Sequence, residues 1–142
     1  MSVRVEVKRV SKRNEVMKQY ETMVRRIVAK GGQDTMNTAK QSIQAHGSSG
    51  RTYSLSNPKR IHTASAPLNP PNSDTGYLVS NIHLVFPAED TGFAAEVESR
   101  AEYSAHLEFG TSKMRERPFL QPALEENRPK IRSMFARLKA RG

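Results

Sequence analysis

The apolar residues of this chain change period along its length, and that change limits what it can fold into. Val16, Tyr20, Met23, Val24 and Ile27 fall at three- and four-residue spacing, and Met36, Ala39 and Ile43 resume the stripe. This is the pattern of an amphipathic helix. Gly31 and Gly32 interrupt it, at about 1 kcal/mol each in a helix interior. The pattern therefore allows one long helix to about residue 45, or two helices bent at the glycines. Gly47 to Gly50 reads as a flexible turn that ends it.

Elsewhere the period is two. Val3, Val5 and Val7 alternate with Arg4, Glu6 and Lys8, as in a short strand with one apolar face, and Ser11 follows as a helix N-cap. Ile82, Leu84 and Phe86 alternate, as do Phe93, Ala95 and Val97, with turn formers between Pro87 and Gly92. That predicts a hairpin. A loose hairpin or extended arm is expected over 51–65, around Asn57 and Pro58. Residues 66–74 hold Pro67, Pro70 and Pro71 and read as a loop excluded from a sheet interior. Ala101 to Glu108 reads as a short helix with Tyr103, Leu107 and His106 inward, ended by Gly110. Leu124, Ile131, Phe135 and Leu138 give a second helical stripe, and Pro129 is expected to bend it near Glu125. The expected class is α+β: a long N-terminal helix and a C-terminal helix packed on a small antiparallel sheet. The expected organisation is one domain, 1–142, with a flexible arm or loop region at 47–74.

The chain has 142 residues and no cysteine. No disulfide or thiol chemistry is available to it, and a reducing compartment suits it. No apolar run approaches the roughly 20 residues of a membrane helix, and no apolar stretch follows the N-terminal charges, so neither a membrane role nor a signal peptide is expected. A net charge of +9 favours polyanions or acidic protein surfaces.

Catalytic chemistry is not evident. His46, His62, His83 and His106 have no metal-ligand spacing, so no metal or cofactor is expected. Glu96 and Glu98 share a strand face with Ala94 and read as solvated surface. Ser48 to Gly50 lack the strand-to-helix setting of a nucleophile elbow, and Gly31 and Gly32 lack the sequel of a phosphate loop. Arg128, Lys130, Arg132, Arg137, Lys139 and Arg141 follow the last acid, Glu126. On a helix they are expected to form a positive flank beside the apolar stripe. That flank suits DNA phosphates or an acidic partner, and the residues alone do not choose.

One segment is more specific. Tyr103 to Asn127 reads YSAHLEFGTSKMRERPFLQPALEEN. Glu108, Phe109, Gly110 and Thr111, then Arg117, Pro118, Phe119, Leu120, Pro122 and Ala123, resemble the marked motif of the siphophage tail-completion, or head–tail joining, family. Upstream, Pro67, Pro70, Pro71, Thr75, Gly76 and Leu78 resemble that family's proline-rich middle block, with Asn81 displacing the match at Ile82 by one residue. The likeness spans about residues 12–140. It implies a virion structural protein of the tail and neck, made in the bacterial host cytoplasm. It also implies a ring, sixfold in the particle, that meets stopper, terminator or tail-tube proteins and has at most nonspecific contact with channel DNA. A tail terminator or a head-closure (stopper) protein is the alternative in the same setting. A basic nucleic-acid-binding protein is the alternative of another class. On physical grounds Phe109 and Phe119 are expected as paired core anchors, pinning a charged loop at 112–117 for a neighbour to grip.

Overall fold

A computed structural model describes residues 13–45, 52–56, 59–87 and 93–141. The expected Val3–Val7 strand, the Ser11 cap and the turns at 47–50, 57–58 and 88–92 lie outside the described residues. The fold is α+β, with a long N-terminal helix and a C-terminal helix packed against a small antiparallel sheet. Helix α1, Arg13–Ala45, is continuous through both glycines. Strands β1, Thr52–Ser56, and β2, Lys59–Thr63, form a hairpin in the register Thr52↔Thr63. One turn of helix, α2 (Tyr77–Ser80), leads into β3 (Ile82–Val85), which pairs antiparallel with β4 (Glu96–Ser99). Helix α3, Ser104–Phe109, and helix α4, Leu120–Arg141, complete the chain.

The glycine pair explains the unbroken α1. A Cβ on Gly31 would lie 2.9 Å from Ile131 of α4. A Cβ on Gly32 would lie 2.6 Å from Leu84 of β3 and 3.0 Å from the Ala95 Cβ. The two glycines are thus the places where α4 and the sheet approach the α1 backbone, and close packing offsets their poor helix propensity. The Thr35 hydroxyl, itself buried, bonds back to the Gly31 carbonyl at 2.8 Å.

Helices α1 and α4 run antiparallel. The Tyr20 hydroxyl donates to the Leu138 carbonyl, Gly31 meets Ile131, Lys130 pairs with Asp34 at 2.7 Å, and the Asn127 amide donates to Thr38 Oγ1 at 2.9 Å. Below this seam the core gathers Ala39, Ile43, Leu78, Ile82, Ala101, Phe119 and Ala123. The first turns of α1 contribute little to it, and Val16, Met17 and Met23 remain exposed.

Three expectations need correction. Pro129 does not interrupt α4. It lies on the exposed face, where the carbonyl that loses its intrahelical donor is on the solvent side and the inward stripe stays intact. The second strand of the hairpin is Glu96–Ser99 rather than 93–97, and Phe86 and Phe93 are exposed. Of the residues expected inward near α3, only Leu107 packs on the core. His106 is exposed, and Tyr103 is 42% exposed with its ring tilted against Tyr77.

Two predictions follow from the seam. Gly32→Ala improves helix propensity by about 1 kcal/mol but overpacks against Leu84 and against the Ala95 Cβ, which can yield only by a backbone shift. A net loss of about 1 kcal/mol is expected in urea melts, whereas Gly31→Ala, facing the rotatable end of Ile131, costs less. The Lys130 and then the Lys30 ammonium, each hydrogen-bonded to Asp34, hold its carboxyl below the ordinary value. A depressed carboxylate stabilises the fold fully above the unfolded value near 3.9, and that contribution drains as pH falls through the folded value. Asp34→Asn should therefore lower the melting temperature at neutral pH and leave the acid limb of its pH profile shallower. Equal slopes for the two proteins would contradict this.

Candidate functional site

The motif between α3 and α4 is a small hydrogen-bonded device. Helix α4 begins with backbone N–H groups that have no intrahelical acceptor. The Glu108 carboxylate, on the last turn of α3, accepts three bonds there: from the N–H of Phe119 at 2.8 Å, Leu120 at 3.1 Å and Gln121 at 2.8 Å. An anion at a helix N-terminus is also favoured by the helix dipole. Glu108 therefore closes the base of the loop from Gly110 to Pro118.

Within the loop each matched residue has a task. Gly110 adopts φ +75°, and a Cβ there would meet the Glu116 nitrogen and the Met114 oxygen at 2.9 Å, so only glycine fits. Thr111 makes the tip. Its N–H donates to the Met114 carbonyl at 2.7 Å, and its hydroxyl accepts from the N–H of Lys113 and Met114. The Arg117 N–H donates to the Leu107 carbonyl at 2.6 Å. Phe119 is 1% exposed and sits in the core, with Leu120 packed beside it; Pro118 is half-buried and Pro122 exposed.

Phe109 departs from this pattern and from expectation. It is 81% exposed, not a core anchor. It lies one residue past Glu108, about 100° around the helix from a side chain that must face α4, so its ring is turned to solvent. The paired-anchor reading thus holds for Phe119 alone.

The proline-rich loop is brought to the same place. The Arg117 Nε donates to the Ser65 carbonyl at 3.2 Å, and the Leu68 N–H donates to the Glu116 carbonyl at 3.0 Å. Pro71 is buried, Pro70 half-buried, and Pro67 and Leu68 are exposed; Leu68 has φ +69°, unusual for a branched residue. Gly76, at φ +78°, opens α2; the exposed Thr75 hydroxyl accepts from the Tyr77 N–H, and Leu78 enters the core. A cleft of about 410 Å³ lies between this loop and α3, lined in part by Ser65, Asp74, Tyr77, Tyr103 and Arg117. Burial, then the neighbouring Tyr77 and Asp74, pushes the Tyr103 hydroxyl up.

The basic residues of α4 do not form one flank. At about 100° per residue, Arg128, Arg132 and Lys139 fall in one row, and Lys130 and Arg137 in another, on opposite sides of the apolar stripe; the Arg141 side chain lies outside the described ones. Arg128 pairs with Glu125 at 2.9 Å and Lys130 with Asp34, while Arg132, Arg137 and Lys139 are exposed. Among the described residues no group of three or more His, Asp or Glu side chains is placed to hold a metal, and no helix is long and apolar enough to cross a membrane. Glu98 is paired with Arg100 at the surface.

Sequence reasoning missed Leu68, Asp34 and Asn127, and it placed Ser65 in the proline-rich block without a partner. Of these, only Asn127 carried a local signal, a polar residue at an inward position of the second stripe. Searches against protein-family models, curated proteins and solved structures find no match.

The two phenylalanines make a direct test. Phe119→Ala should cost about 3–5 kcal/mol. Phe109→Ala should change stability by no more than about 0.5 kcal/mol, and Glu108→Ala should lose about 1–2 kcal/mol of capping. Urea melts of the three variants check the order, and equal losses for the two phenylalanines would contradict it.

Proposed function

We propose that this chain is a bacteriophage virion assembly protein that completes the tail and joins it to the head, acting without catalysis as a subunit of a ring at the neck. The reading starts from the likeness of residues 103–127 to the head–tail joining family. The observation that carries it further is Phe109. Its neighbours in the motif are used inside the fold, whereas this large ring is held outward on a braced frame. Exposed apolar surface on a fixed frame suits a protein contact. The proline loop, fastened beside it, adds Pro67 and Leu68 to the same region.

In this reading neighbouring subunits and the stopper, terminator or tail-tube rings are the partners, and the mature location is the virion. A terminator or stopper role uses the same surface. The exposed Arg132, Arg137 and Lys139 favour a second reading, contact with DNA phosphates. A monomer that binds DNA with a steep salt dependence would support that reading instead.

The test is genetic and biochemical. A phage lacking the gene should accumulate separate heads and tails, and the wild-type protein should be found in purified particles. Phe109→Asp should fold normally yet weaken subunit contact by about 2 kcal/mol or more, roughly thirtyfold, and fail to complement. Infectious tailed particles made without the protein would overturn the proposal.

A further inference from the structure

Charge is unevenly distributed along this chain. Between Asp34 and Asp74 the sequence has no acidic residue, and Arg51, Lys59 and Arg60 fall on or next to the β1–β2 segment. The acids lie elsewhere: Glu96, Glu98, Glu108 and Glu116 line a groove between α1, β4, α3 and α4. The hairpin also stands apart in its packing. Its strands form a sheet of their own, separate from β3–β4, and among the described residues the core draws on neither of them.

The register fixes what one face of this ribbon presents. Thr52 lies opposite Thr63, Ser54 opposite Ile61 and Ser56 opposite Lys59. Residues directly opposite, or two apart on a strand, share a face. Thr52, Ser54, Ser56, Lys59 and Ile61 are all exposed, Ile61 at 76%. This face is therefore a row of hydroxyls with one ammonium and one branched apolar side chain, open to solvent. A two-stranded hairpin is marginally stable by itself, but the base of this one is held. The Thr52 and Thr63 hydroxyls hydrogen-bond at 3.0 Å, and the Asn72 amide donates to the Thr63 carbonyl at 2.9 Å. Two residues on, the Ser65 carbonyl accepts from Arg117. The ribbon is mounted on the same frame that braces the loop between α3 and α4.

That combination fits duplex DNA. Phosphate oxygens accept from hydroxyls as well as from ammonium groups. The major groove, about 12 Å wide, admits a two-stranded ribbon whose strands are about 4.8 Å apart, and thymine methyl groups in it suit an apolar side chain. The carboxylates of an acidic protein offer no such groove. We propose that the β1–β2 hairpin is a DNA-binding arm. Its Thr52–Ser56 face enters the major groove, with the hydroxyls and Lys59 on phosphates and Ile61 toward the bases. The proposal goes beyond the neck reading and does not depend on ring formation.

The test titrates full-length protein with a short fluorescent duplex between about 50 and 200 mM salt. The Lys and Arg residues within 51–60 limit the arm to three phosphates. At about 0.9 per phosphate, the log–log slope of affinity against salt should not exceed about 2.7 in magnitude. Lys59→Gln, at an exposed position, should melt like the wild type and reduce that slope by about 1. Ser54→Ala/Ser56→Ala should weaken binding about threefold or more with the slope unchanged, because a neutral donor releases no counterion. Lys139→Gln, on α4, should leave affinity and slope unchanged. The inference is overturned if the wild type does not bind at the lowest salt, if Lys59→Gln leaves the slope unchanged, if the serine pair variant binds like the wild type, or if Lys139→Gln has the larger effect. It is also overturned if polyglutamate competes as well as unlabelled duplex, which assigns the arm to an acidic protein. Failure to bind the duplex leaves assembly at the neck intact. Absence of the protein from particles overturns the neck reading and leaves the arm's DNA contact standing.

Discussion

The Glu108 carboxylate, accepting three backbone N–H groups at the start of α4, holds the junction of α3 and α4 together. It gives the helix terminus acceptors it otherwise lacks and places a negative charge where the helix dipole favours one. Because Glu108 stands at the end of α3, the same bonds fasten the two helices across the loop between them. Everything nearby follows from that closure. Phe119 is directed into the core, Gly110 is forced into a conformation closed to other residues, and Phe109 is turned outward. The proline-rich loop is then fastened to this frame by Arg117 and Glu116. An exposed ring on a floppy loop would lose much of its contact energy in ordering, whereas one on a braced turn does not.

The frame in turn needs the close seating of α4 and the sheet on α1. Gly31 admits α4 and Gly32 admits the sheet, and the helices and β4 border a groove beside the core. The acids in that groove and the bases on the flanks of α4 separate charge across a small protein.

Much of the architecture was legible. The three-four spacing from Val16 to Ile43 and from Leu124 to Leu138 marks both long helices, and alternation marks β3. Other features depended on contacts distant in sequence. The closeness of Gly32 to Leu84 and Ala95 cannot be read from neighbouring residues, so the glycines registered only as a weakness. Phe109 and Phe119 have the same side chain in the same motif, and only the direction imposed by Glu108 separates them. The alternation at Phe93, Ala95 and Val97 has the parity of β4, but the ladder starts at Glu96, so periodicity located the face and not the end. Pro129 misled because its effect depends on which side of α4 it occupies. The proline loop was legible as a loop, but its attachment through Ser65 and Leu68 was not.

A photoreactive amino acid placed at position 109 and irradiated within assembled phage particles tests the central claim most directly. The account predicts a crosslink from residue 109 to another protein chain, either a second copy or an adjoining neck or tail protein. Particles that contain the labelled protein but yield crosslinks only within its own chain, or none, would contradict it.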